Sequence, residues 1–340
     1  MTWQIWGQDW AVHLLQQHIR SGEVRHAYLF SGVPGVGRRT LALEFARALN
    51  CSQPPQPGGL CGECRNCRQI ARMEHADLTV VQAAEPGSAI KVEQIRELQH
   101  SLSLSPYEAR YRIALLLNFE QATPSAQNAL LKTLEEAPSK VILLLTVSSP
   151  EDVLPTIVSR CEVLRLRPMA LQSLADHLQR NAVMEPKQAE WLAHLSGGRP
   201  GAALRLHHDP AALEERRQWI KTLFTALSGS RAVRFQISEG LAGKDREQIR
   251  GVLRLWSSLW RDVLLLCGGQ PEALTNLDLR PMLEQVAAHL DLRRAYACLN
   301  AVEQAQAGLD ANLNMRLLLD VLMLDIPYLN EQIDLNSAQV

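Results

Sequence analysis

The chain has 340 residues, 46% of them hydrophobic and 21% charged, with a formal net charge of -1. That balance suits two or three globular domains and gives no bulk sign of a nucleic-acid binder. The start, Met1-Thr-Trp-Gln-Ile-Trp, lacks the basic region and long apolar core of a signal peptide, and the longest apolar runs, such as Val141–Val147, are too short to span a membrane.

In chain order, residues 10–21 have helical spacing, with Leu14, Leu15 and Ile19 on one face. A strand at 26–31 leads into a glycine-rich loop, and a helix at 41–49 follows. Four of the seven cysteines then fall between positions 51 and 67. The stretch Pro54-Pro-Gln-Pro-Gly-Gly59 within that segment forbids regular structure and marks an insertion. Further on, the pattern predicts strands at 78–82, 112–117, Val141–Val147 and 163–166. Helices are predicted at 92–101, 123–136 and 155–160. Pro124 sits in the first turn of the second of these, and Ala137-Pro138 stops it. Strands alternating with helices from 26 to 166 argue for a parallel α/β sheet.

From Pro168 the strand pattern ends. Residues 171–180, Pro186–Leu195 and 201–206 read as three short helices. Longer helices follow at 211–227, Arg231–Ala242, 246–266, 280–302 and 314–324. The expected division is 1–167 with the cysteine insertion 51–67, then 168–208, then 209–330, then a polar tail at 331–340.

The cysteine pattern is C-x9-C-x2-C-x2-C, from Cys51, Cys61, Cys64 and Cys67. Four thiolates suit a tetrahedral structural zinc, and the absence of an open position argues against a catalytic one. Clustered cysteines without an export signal favour metal in a reducing compartment, hence a cytoplasmic protein. Arg65, Arg68 and Arg72 surround the site. They allow a nucleic-acid-binding knuckle as an alternative, against which the near-neutral charge argues.

The loop Gly32-Val-Pro-Gly-Val-Gly-Arg-Arg-Thr40 has the frame of a phosphate-binding loop, with Gly32, Gly35 and Gly37 in place. Arg38 stands in the lysine slot and Arg39 in the hydroxyl slot. Thr40 is one residue late, which turns its hydroxyl about 100° away on a helix. An NTPase also needs a carboxylate at the end of an apolar strand. Arg112-Ile-Ala-Leu-Leu-Leu-Asn118-Phe-Glu120 offers Leu117 and Asn118 there, with Glu120 displaced into the following turn. Both metal contacts are missing, so neither ATP nor Mg²⁺ is expected as a cofactor.

His26-Ala-Tyr-Leu-Phe-Ser-Gly32, the cysteine knuckle, Asn128-Ala-Leu-Leu-Lys-Thr-Leu-Glu-Glu136 and Leu154-Pro-Thr-Ile-Val-Ser-Arg-Cys161 occur in that order. In this the chain resembles the bacterial clamp-loader subunits, AAA+ proteins of the DNA polymerase III holoenzyme. The match covers roughly the first 205 residues specifically. It is looser through Trp260-Arg-Asp-Val-Leu-Leu-Leu266 and Asn312-Leu-Asn-Met-Arg-Leu317.

The resemblance implies an AAA+ sheet with helices on both faces, a small helical lid and a C-terminal helical collar. Of the family's branches, the hydrolysing gamma/tau type keeps Lys-Thr in the loop, Asp-Glu on the strand and a long C-terminal extension. This chain lacks all three. Near Gly197-Gly-Arg-Pro-Gly-Ala-Ala-Leu204 the family's nucleotide-sensing arginine is displaced, at Arg199. These departures point to the non-hydrolysing delta-prime branch, with a gamma/tau-like ATPase as the alternative.

The resemblance further implies a five-membered ring with gamma/tau and delta subunits that places a sliding clamp on primed DNA. Arg160, in Ser159-Arg160-Cys161, matches the family's arginine finger, which reaches a neighbour's ATP. Thr146 matches a sensor position, structural here in the absence of a metal site. Residues 128–136 are expected to serve packing, with Glu135 and Glu136 at a surface or interface.

Overall fold

A computed structural model describes residues 3–85 and 87–329. The polar tail expected at 331–340 lies outside the described residues. The first half builds α1 (Asp9–Ser21), β1 (Ala27–Ser31), α2 (Arg38–Asn50), α3 (Arg65–Arg72), β2 (Leu78–Val81), α4 (Val92–Leu102), β3 (Arg112–Leu116), α5 (Pro124–Glu135), β4 (Val141–Val147), α6 (Pro155–Val158) and β5 (Glu162–Arg165). The five strands form one parallel sheet in the order β2-β3-β4-β1-β5.

Alternation along the strands sends side chains to two separate cores, one on each face. Tyr28, Phe30, Leu115 and Leu144 face α1, α2 and the cysteine insertion, against Leu15, Phe45 and Ile70. Ala27, Leu29, Leu116 and Leu145 face α4, α5 and α6, against Leu98, Leu130 and Ile157. Because the strands run parallel, the loops after β1, β3 and β4 all open at the carboxyl edge of the sheet. An open α/β sheet places its binding crevice there.

The remaining helices are α7 (Leu171–Ala182), α8 (Pro186–Leu195), α9 (Pro200–His208), α10 (Pro210–Ser228), α11 (Arg231–Ala242), α12 (Arg246–Cys267), α13 (Arg280–Ala288), α14 (Leu292–Asp310) and α15 (Met315–Asp325). By contact, the chain divides into two compact units. One is Met1–His177 with Gly198–Ala202; the other is Leu178–Gly197 with Ala203–Val340. The second unit has its own core, centred on the fully buried Trp256 and Trp260 of α12.

Apart from shifts of one or two residues at element ends, three features differ from the sequence reading. The helix expected at 280–302 is two helices, because Asp291 caps a new one through a 2.7 Å bond from the Arg294 amide. The helix after the glycine loop starts three residues earlier than expected, so Arg38 and Arg39 lie in its first turn. The cysteine insertion is not wholly irregular. Cys64 caps α3 by accepting from the Cys67 amide, which puts Cys67 on a helix.

Candidate functional site

The glycine loop leaves β1 and turns through positive φ at Gly32, Gly35 and Gly37 before α2 begins. The chain itself fills the space above it. A Cβ on Gly32 would stand 2.6 Å from the Leu166 carbonyl oxygen, and one on Gly37 would stand 2.7 Å from Ile5. At Gly35 a Cβ would meet Ala202 at 3.0 Å. The Gly35 carbonyl accepts a 2.9 Å bond from the Gly201 amide, and the Pro34 carbonyl accepts a longer 3.4 Å contact from Arg199. These glycines therefore serve close packing of the backbone, with one loop carbonyl already satisfied by the chain.

Arg38 is 8% exposed and points to the ends of β3 and β4. Its guanidinium donates to Asn118 Oδ1 at 3.2 Å and to Ser148 Oγ at 3.3 Å, and lies 3.7 Å from Glu120 Oε1. Ser148 donates to the same Glu120 oxygen at 2.7 Å. Burial lowers the Arg38 pKa, and the Glu120 carboxylate opposes that fall. The group stays charged, since guanidinium does not deprotonate in proteins.

Thr146, buried on β4, accepts the Asn118 amide at 2.8 Å and holds that residue in its left-handed conformation. Glu120 does fall in the short 3-10 turn after β3, yet its carboxylate swings back into the crevice. An intramolecular cation and carboxylate thus meet where a loop lysine and a metal-binding carboxylate would otherwise meet phosphate and Mg²⁺. The sequence reading named Arg38, Asn118, Glu120 and Thr146. It missed Ser148, which carries no local pattern, and the bond from Gly201 to the loop, which forms only through the fold. Arg39 and Thr40 are exposed and point away from this cluster.

The four cysteine sulfurs converge, all within 4.8 Å of one another. Cys51 and Cys61 lie 3.5 Å apart, and Cys61 and Cys67 4.0 Å apart. A tetrahedron with metal–sulfur bonds of about 2.3 Å has sulfur–sulfur edges of about 3.8 Å, so the donor set fits a thiolate-bound ion. Backbone amides of Cys61, Cys64 and Cys67 donate to Cys51, Cys61 and Cys64 sulfurs at 3.3–3.4 Å. Such bonds favour thiolates.

Burial raises the Cys51 and Cys67 thiols. At Cys64 burial also pushes upward, but bonds from Ser52 and the Cys67 amide outweigh it and bring the thiol to about 6. The insertion is held to the domain by Gly58. Its carbonyl accepts from Trp3, and a Cβ there would stand 2.9 Å from the Gln16 carbonyl. Of the nearby arginines, Arg65 pairs with Glu108 at 3.4 Å.

Arg160 lies apart from both groups, just after α6, on the other face of the sheet from the cysteines. It is about one-third exposed. It donates to the Thr156 carbonyl at 2.9 Å and to Glu135 Oε1 at 2.7 Å. Glu135 ends α5 and is half exposed. The packing expected of 128–136 is also present: Leu130 and Leu134 are buried, and the Leu134 carbonyl meets His26 Nε2 at 3.0 Å.

A family model described as DNA polymerase III, delta subunit, matches residues 7–170, and its C-terminal counterpart matches 210–327. The delta' subunit of DNA polymerase III from Bacillus subtilis is 30% identical over 93% of this chain and 95% of its own length. That from Pseudomonas aeruginosa is 40% identical over 54% of this chain and 56% of its own. The tau/gamma subunit from Haemophilus influenzae is 33% identical over 62% of this chain but only 31% of its own length.

Proposed function

The chain belongs to the family of DNA polymerase III delta-prime subunits, and on that premise we propose that it is a catalytically silent AAA+ subunit of a clamp loader. In this reading it works with gamma/tau and delta subunits in a five-membered cytoplasmic assembly that places a sliding clamp on primed DNA. Its own crevice holds no nucleotide. Arg160 reaches the ATP of a gamma/tau-type neighbour and offsets charge that develops on the transferred phosphoryl group. The ion at Cys51, Cys61, Cys64 and Cys67 is zinc in a structural role.

The observation that carries this reading is the Arg38 cluster. A buried guanidinium bonded to Asn118 and Ser148, with Glu120 beside it, already has its charge matched by the chain, and a β- or γ-phosphate would have to compete with that carboxylate. Gly201 and Ala202 likewise pack directly against Gly35 in the loop. The alternative, a hydrolysing subunit of the gamma/tau type, needs a lysine at position 38 and a carboxylate at 117 or 118, and has neither. It would also have to displace the cluster, leaving Glu120 buried without its cation.

Calorimetric titration of the isolated chain with Mg²⁺ and ATP tests the silent crevice. The expected result is no binding up to millimolar nucleotide. Micromolar binding with turnover would establish the hydrolysing alternative instead.

A further inference from the structure

The geometry points to Glu135 as the positioning residue for Arg160, an inference that rests on the proposed role of Arg160. The Leu154–Cys161 segment is gripped by α5 at two places, two helical turns apart. At the near end the buried Gln127 accepts the Leu154 amide at 3.0 Å, and its own amide group donates to the Ala122 carbonyl at 3.2 Å. At the far end Glu135 Oε1 takes Arg160 Nη2 at 2.7 Å. The second grip falls on the guanidinium itself.

The placement of Glu135 has a cost that packing does not explain. It is the last residue of α5, where the helix dipole presents its negative end and a carboxylate is disfavoured. It is half exposed, so burial of the side chain contributes little in return. What it does gain is a directed bond to one edge of a guanidinium whose other inner bond goes to the Thr156 carbonyl.

Guanidinium has five N–H donors. Two are committed inward, to Glu135 and Thr156, and three remain to meet a phosphate. A long arginine otherwise samples many rotamers, and its freedom is lost when it engages a ligand. An arginine already held by a fixed carboxylate loses less. This ordering acts on the orientation of the group and not on its charge.

The test is a double-mutant cycle in the assembled complex with gamma/tau, delta, clamp and primed DNA. ATPase is compared for the wild type, Glu135→Ala, Arg160→Ala and the double variant. An exposed carboxylate–guanidinium pair of this kind is worth about a two- to fivefold effect. Glu135→Ala is expected to lower kcat by that factor with KM for ATP unchanged, and Glu135→Gln, which keeps an acceptor oxygen, to restore part of the loss. In the Arg160→Ala background, Glu135→Ala is expected to do nothing further. Thermal midpoints of the isolated variants, expected to match the wild type, separate orientation from folding.

If Arg160→Ala abolishes turnover while Glu135→Ala leaves kcat unchanged, the positioning role is wrong and the role of Arg160 stands. The positioning role is also wrong if Glu135→Ala acts equally in both backgrounds. If Arg160→Ala itself changes nothing, both fall together.

Discussion

Arg38 and Arg160 carry the same guanidinium into two different surroundings. Arg38 is 8% exposed and set among three side chains from the ends of two strands. Arg160 is 35% exposed on the opposite face of the sheet, held on one side by Glu135 and Thr156 and open on the other. A guanidinium buried among its partners is a structural pin. An exposed one can still meet a ligand. On the proposed reading, a silent nucleotide crevice need not be a void, because a charged residue of the chain sits among the strand ends and the surrounding fold is kept.

The greatest change is expected where the two faces of the sheet are separated. The cysteine site shares a core with α2, the helix that carries Arg38, while α5 and α6 pack on the other side. Metal analysis should find one zinc per chain. Stripping it should raise amide exchange in 51–72 and in α2 by at least about 100-fold, since structural zinc contributes folding energy directly. The α5–α6 segment should stay protected. Equal deprotection of both faces would mean that they are not independent, and an absence of metal in anaerobically purified protein would remove the zinc site.

A smaller effect is expected at the pin itself. Arg38→Ala leaves Glu120 without a counter-ion in a mostly buried position, which costs about 3 kcal/mol. Urea unfolding should show that loss in the first unit. ATP affinity should not appear, because the lysine and the Mg²⁺ ligands stay absent and the backbone of Gly201 and Ala202 still lies against Gly35. A stable Arg38→Ala chain that binds ATP would overturn the idea of a filled crevice.

Much of this was legible in the sequence. The strand–glycine loop–helix order, the cysteine spacing and the defects at Arg38, Arg39, Leu117 and Asn118 are local patterns, and local patterns can be read without a fold. The partners of Arg38 are not local. Ser148 is 110 residues away from it and Gly201 is 166 away from Gly35, so only the parallel order of β1, β3 and β4 and the return of the chain after α8 bring them together. The break between α13 and α14 was missed for a different reason. Apolar spacing continues through Leu290, and the single Asp291 cap decides against a continuous helix.

If the chain's useful chemistry lies at Arg160 and serves another subunit, the direct measurement is DNA-stimulated ATPase of the assembled complex carrying Arg160→Ala. Loss of an arginine finger lowers turnover at the site it serves by about 10³-fold or more. A loss of that order is expected at the neighbouring site, with assembly and thermal stability intact. Unchanged turnover and clamp loading in that complex would contradict the assignment.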